Sequence, residues 1–356
     1  MPYYSRVAFG PCGSGGHLAI GRPGTGYGLL VSPSRPRPFS RGAGNPRGTD
    51  DLAEQQQGQP RPRWLRDTLP RPVALAERIE SATVLDRATA ALAGAVRGAL
   101  RRRGAADLLH GVPLGQPAHP PLVQLPIGCW ASAALLDLLP GTSRASGVLI
   151  AAGVAGAAPA AAAGLADWSE LHPEQQRVGL VHAASGAMAT ALQVASLAAR
   201  VTGRDRRGKL LSLGGLTAAA AGGYLGGHLA FRLGAGASHA EPVAHLAPLG
   251  WHDLCRARDL PDGRPVRLPL GYLSLLVLRH GTEVRALADH CAHLGGPLHQ
   301  GRLASSGAGL CVVCPWHGST FRISDGAVVH GPATARQPVF DTRITESGLV
   351  QVRARA

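Results

Sequence analysis

Large side chains are scarce in this 356-residue chain: aromatic residues make up 4% and there are two methionines, against 48 glycines. So few bulky groups cannot fill a soluble core through the middle of the chain, whereas Ala- and Gly-rich helices pack closely inside lipid. Acidic residues are also few, 22 against 36 Lys and Arg, leaving a formal net charge of +14. The arginines are not gathered on one readable motif, which argues against nucleic acid as a partner. A basic tail beside a membrane anchor is explained by anionic lipid or by topology. There are six cysteines; Cys12 and Cys129 have no evident partner, and no disulfide framework is apparent.

Residues 1–72 are rich in Pro, Gly, Ser and Arg and carry no periodicity. A segment of this kind buries too little apolar surface to offset its ordering entropy. It lacks the apolar stretch and cleavage site of a signal peptide, so it reads as a disordered tail or as sequence upstream of the true start codon. Over 73–104 the pattern changes, with Leu75, Ile79, Leu85, Leu92, Val96 and Leu100 falling on one stripe of an expected amphipathic helix. Four apolar segments follow, at about 122–139, 146–166, 178–199 and 210–231. Each is near the roughly 20 residues a helix needs to cross a bilayer, although the first carries Asp137. After a linker over 236–245, short candidate strands begin: Trp251 to Leu254, Pro265 to Leu268, Leu273 to Leu278 and Glu283 to Ala288. Pro-Asp-Gly at 261–263 and His-Gly at 280–281 supply turns between them. The expected fold is a four-span helical membrane bundle, 105–235, followed by a small all-β domain, 246–356.

That last domain carries Cys291-Ala-His293 and, after a gap of twenty residues, Cys314-Pro-Trp-His317. A Cys-x-His pair facing a Cys-x-x-His pair is the ligand pattern of a Rieske 2Fe-2S centre, two thiolates holding one iron and two imidazoles the other. Zinc is the competing occupant, but zinc fingers pair Cys with Cys and His with His along the sequence. The small residues after each pair let the backbone approach a cluster and aim N–H groups at its sulphurs. Cys311, close to Cys314, reads as an inward-facing strand cysteine.

Residues 246–354 resemble a Rieske ferredoxin-type domain, carried by CAHLGGPL at 291–298 and CPWHGSTF at 314–321. The resemblance implies Cys291 and Cys314 on one iron, and His293 and His317 on the other. High-potential relatives carry an extra, disulfide-forming Cys in each box; the matching positions here are Gly296 and Trp316. They also have a Tyr where Phe321 stands, whereas Ser319 is retained and is expected to donate to a bridging sulphide. Fewer donors imply a potential toward the lower part of the roughly −150 to +300 mV Rieske range.

With four spans, both chain ends fall on one face of the membrane. On that face lie His119, Asp167-Trp168, His182 and His228, the last two expected at similar depth on antiparallel helices. They could hold haem b as a bis-His pair or serve a quinone or proton path; interfacial bonding to water, headgroups or Asp167 is the structural alternative. HPPLVQLPIG at 119–128, Asp167-Trp168, His182 and YLGGHLAFRLG at 224–234 resemble an uncharacterised four-helix bacterial membrane domain found fused to Rieske domains. Arg204, Arg206, Arg207 and Lys209 favour a cytoplasmic loop, and hence a multi-pass plasma-membrane protein with an external Rieske domain. Arg101 to Arg103 lie on the other face and pull the opposite way. The function expected is one-electron transfer between unidentified redox partners. A redox sensor is the alternative; a Rieske oxygenase would need a further mononuclear-iron domain, for which the roughly forty residues after His317 leave no room.

Overall fold

The computed structural model describes residues 71–100 and 102–355. The expected tail, with Cys12, lies outside the described residues apart from its last two positions. The segment expected as one amphipathic helix forms two, α1 (Arg71–Glu80) and α2 (Asp86–Ala99), separated by a 3-10 turn at Thr83–Leu85. Its stripe holds only in part: Ile79, Leu85, Val96 and Leu100 are half-buried, but Leu75 and Leu92 are exposed, and Ala76, Thr89 and Ala93 are buried beside them. Small side chains let these helices sit close on their neighbours, which a leucine face would hold apart. A short helix, α3 (Arg103–His110), completes the group and ends at Gly111 with φ 82°, the left-handed cap glycine readily adopts.

Four longer helices follow: α4 (His119–Leu136), α5 (Ser143–Ser169), α6 (Pro173–Val201) and α7 (Asp205–Gly227), the last continuing as a π turn over His228–Arg232. In the bundle α4 packs on α5 and α7, and α6 packs on the same two. α1 and α2 lie against α6, while α2 and α3 lie against α5. Among the described residues two helices, α5 and α6, with 27 and 29 residues, are long and apolar enough to cross a membrane; α4 and α7, with 18 and 23 residues, are long enough but not apolar enough. The bundle's polarity is inside-out. Ser146, Gln193, Ser196 and Ser212 are buried, while Val148, Met188, Leu210 and Leu213 face outward. That distribution suits hydrocarbon outside and interhelical hydrogen bonds inside, such as Gln193 Nε2 to Ser212 O at 3.1 Å and Ser196 Oγ to Gly208 O at 2.7 Å. Asp137, just past α4, is neutralised by Arg200 of α6.

The C-terminal domain has ten strands: β1 (His252–Arg256), β2 (Val266–Leu270), β3 (Leu273–His280), β4 (Glu283–Ala288), β5 (Arg302–Ser306), β6 (Gly309–Val313), β7 (Thr320–Arg322), β8 (Val328–His330), β9 (Val339–Ile344) and β10 (Leu349–Ala354). They form a six-stranded antiparallel sheet, order β1-β10-β9-β4-β3-β2, and a four-stranded one, β5-β6-β7-β8. Alternation along β3 and β4 divides their side chains between two cores. Leu275, Val277, Val284 and Ala286 enter one; Leu276, Leu278 and Leu287 enter the other, with Val312, Phe321, Cys291 and Cys314. The expected linker is built into that second core through Ala240, and His239 N donates to Ala292 O at 2.9 Å.

Candidate metal centre

The four proposed ligands lie on two loops, one between β4 and β5 and one between β6 and β7. The loops are built alike. Gly295 N donates to Cys291 O at 2.8 Å and Gly318 N to Cys314 O at 3.2 Å. Each glycine stands four residues after its cysteine with φ 76°, a left-handed backbone that reverses the chain at little steric cost to glycine. Cys291 N bonds back to Gly296 O, and Cys314 N to Ser319 O. In this geometry the N–H groups of His293 and Leu294 point at the Cys291 sulphur, and those of Trp316 and His317 at the Cys314 sulphur.

These loops bring the ligands together as two pairs. The thiols of Cys291 and Cys314 hydrogen-bond each other; Cys314, the acceptor, is lowered to about 7, and Cys291, the donor, is raised. The rings of His293 and His317 stand 5.1 Å apart at 85°. Burial, then the neighbouring His317, brings His293 from 6.5 down to about 3; burial, then His172 and Arg97, brings His317 to about 4. Both are therefore neutral imidazoles at physiological pH, the form that binds metal. His293 Nδ1 is buried with no hydrogen-bond partner. A Cβ on Gly296 would lie 2.8 Å from Cys314 Sγ and 3.1 Å from the Trp316 ring, so the loop leaves no room for a side chain beside the sulphur.

An orphaned imidazole nitrogen, two adjoining thiols and a cradle closed to side chains fit a 2Fe-2S cluster. Among the described residues no three His, Cys, Asp or Glu side chains converge on a single metal ion. Donors spread as a thiol pair and an imidazole pair match two irons better than one zinc. Of the surrounding residues, Ser319 is buried and its Oγ accepts from Ala333 N at 3.0 Å, leaving the hydroxyl hydrogen available. Phe321 is buried in the core beneath the cysteines. Cys311 is buried on β6, its Sγ 3.5 Å from Gly309 O.

Sequence reasoning missed several residues that hold this site. Buried Gln337, distant in sequence, donates to Ala288 O and His290 O and accepts from Ala292 N, pinning the first loop at three points. Asp289 accepts from His299 N and bonds its Nδ1, both at 2.8 Å. On the helical side, His172 caps α6 and lies edge-on to Trp316 and to His317, at 5.5 and 5.9 Å between ring centroids. Asp107 of α3 accepts from Gly331 N at 2.9 Å and bonds His330 Nδ1 at 2.8 Å. One local signal existed for His172: it precedes Pro173 in the loop joining the second and third apolar segments, on the face expected to carry the cluster domain.

The expected pairing of His182 with His228 does not occur. His228 Nε2 bonds Glu80 of α1, a group the bundle's own sequence does not contain. His182 Nδ1 is bonded to Gly222 O, and its ring meets His119 instead. Asp167 bonds His110 at 2.8 Å.

The Rieske [2Fe-2S] domain family matches residues 250–341, and the family described as predicted membrane protein (DUF2231) matches residues 115–239. The chain is 35% identical over 101 residues to human apoptosis-inducing factor 3, spanning 28% of this chain but 16% of that protein. It is 30% identical over 102 residues to the ferredoxin subunit of anthranilate 1,2-dioxygenase from Burkholderia cepacia, 29% of this chain and 90% of that one. The solved structure of the ferredoxin of carbazole 1,9a-dioxygenase from Nocardioides aromaticivorans IC177 aligns with 20% identity and TM-score 0.27, over 30% of this chain and 98% of its own. The chain thus belongs to the Rieske [2Fe-2S] family through its C-terminal domain, fused behind a membrane domain of the DUF2231 family.

Proposed function

We propose that this protein is a membrane-anchored Rieske electron carrier. Cys291 and Cys314 would hold one iron, and His293 and His317 the other. When bound, the cluster supplies one-electron chemistry, with the imidazole-held iron raising the potential above that of an all-thiolate cluster. The chain's own residues fix the loops (Gln337, Asp289), direct N–H groups to the sulphurs, and exclude side chains from Gly296. The hydroxyl of Ser319 is offered as a further donor to the cluster. Phe321, which lacks one, favours a lower potential than a Tyr there would give.

One observation carries this reading: the cluster loops rest on the helical domain, His317 against His172. Electrons would enter or leave beside the membrane domain, between a membrane-side partner and a soluble one. The likeness to a dioxygenase ferredoxin subunit supports a carrier over a complete oxygenase. We read all four helices α4–α7 as crossing the plasma membrane, with the short α4 and the basic start of α7 covered by their neighbours, and the cluster outside. We extend the reading to a haem b in the bundle, on a different pair from His182 and His228.

Full-length protein, extracted anaerobically from alkali-washed membranes, provides the test. Equal amounts of non-haem iron and inorganic sulphide, and uptake of one electron per cluster in a reductive titration, are expected. Zinc in their place, or release of the chain by the alkaline wash, would overturn the proposal.

A further inference from the structure

His119 opens α4 and His182 lies in α6, two helices that face each other across the bundle, each packed on α5 and α7. Their half-buried rings meet, centroids 6.0 Å apart and planes at 84°. Both are anchored by the same device. His119 Nδ1 is 2.8 Å from Ala160 O of α5, and His182 Nδ1 is 2.7 Å from Gly222 O of α7. A carbonyl only accepts, so each Nδ1 carries its hydrogen and each neutral ring keeps its lone pair on Nε2. Neither Nε2 has a hydrogen-bond partner among the described residues. Each ring also rests on a glycine one turn beyond its carbonyl anchor. A Cβ at Gly164 would lie 2.8 Å from His119 Nδ1, and one at Gly226 would lie 3.2 Å from His182 Cε1.

An imidazole whose Nδ1–H is tied to a backbone carbonyl has the tautomer and orientation of a metal ligand. Two such rings, from opposing helices, meet with their lone pairs unused. Metal–imidazole bonds are about 2.0 Å, so one metal shared by two imidazoles separates their centroids by roughly 6 Å. A bare zinc ion would require a third or fourth protein donor. Among the described residues no such set converges, and Asp167 is occupied by His110. Haem iron brings four nitrogens of its own and needs two axial ligands only. A helical bundle places cofactors in its core on side chains from facing helices.

We propose that His119 and His182 are the axial ligands of a haem in the membrane domain. This deepens the carrier reading by giving the cluster a neighbour within the chain. His182 stands ten residues along α6 from His172, roughly 15 Å at 1.5 Å per residue, and His172 touches the cluster ligand His317.

The test is spectroscopic and independent of the cluster. Full-length protein is produced with a haem precursor supplied, solubilised in detergent, and assayed for pyridine haemochrome and for low-spin ferric resonance; haemin is titrated into any haem-free preparation. A low-spin bis-imidazole spectrum is expected. His119→Ala and His182→Ala should each lower haem content at least tenfold, and His228→Ala should leave it unchanged. His182→Gly supplied with free imidazole should recover the spectrum, which a purely structural histidine would not permit. Wild-type protein that takes up no haemin, or a low-spin signal that survives in both alanine variants, would overturn the proposal. The cluster's own resonance, read in the same samples, separates failure of this site from failure of the carrier reading.

Discussion

His172 of the helical domain lies edge-on against His317 of the cluster loop, with ring centroids 5.9 Å apart and planes at 64°. It also meets Trp316, so one capping histidine closes over the tip of the second ligand loop. Aromatic contacts of this kind contribute about 0.5–1.5 kcal/mol each. Losing both contacts, His172→Ala should therefore speed amide exchange in residues 314–319 by roughly five- to hundredfold, while leaving the proposed ligand set intact. Hydrogen-exchange mass spectrometry of the full chain measures it; unchanged protection would show that His172 does not hold the loop.

Asp107 also ties the two domains, accepting from Gly331 N and bonding His330 Nδ1. Losing a charged acceptor from such a partly buried site costs about 1–3 kcal/mol. Asp107→Ala should raise protease sensitivity around 328–333, and Asp107→Asn, which keeps one acceptor, should do so less. Equal behaviour of the two variants would contradict a hydrogen-bonded latch.

Gly296 is the point where the first loop meets the second, and a methyl there would lie 2.8 Å from Cys314 Sγ. Gly296→Ala should fold, since its backbone needs no left-handed angle, yet retain several-fold less iron and sulphide. In the core beneath, Phe321→Tyr adds the missing hydroxyl and should raise the midpoint potential, by on the order of tens of millivolts. Redox titration followed by circular dichroism checks the second variant, and a fall in potential would refute the role given to this position.

Arg200 pairs with Asp137 at the far end of the bundle, with both side chains over nine-tenths buried. Removing one partner strands a charge in a dry site, at about 3–5 kcal/mol. Arg200→Met should destabilise the detergent-solubilised protein strongly, whereas adding Asp137→Leu should restore much of the loss. A double variant no better than the single one would refute this pairing account.

The proposed cluster ligands could be singled out because their information is local: two short Cys-His spacings with a glycine four residues after each cysteine. Strands β1–β4 were legible from alternation and turns; β4 spans the residues 283–288 read from sequence. What escaped is long-range. Gln337 and Asp107 act on backbone groups far away in the chain, and nothing in their neighbourhoods marks them. Helix depth alone suggested His182 with His228, but it could not anticipate Glu80 of α1 claiming His228. Nor could a leucine stripe reveal that α1 and α2 pack through Ala76, Thr89 and Ala93. In an Ala- and Gly-rich bundle small residues share the contact face with larger ones such as Ile79, and hydrophobic periodicity alone does not locate it.

Electron paramagnetic resonance of the dithionite-reduced, anaerobically purified full chain tests the two-iron centre most directly. Ligation of one iron by His293 and His317 predicts a rhombic signal whose average g lies below the free-electron value, lost on Cys314→Ser. A signal typical of four-thiolate ligation, or none from protein carrying a full complement of zinc, would contradict it.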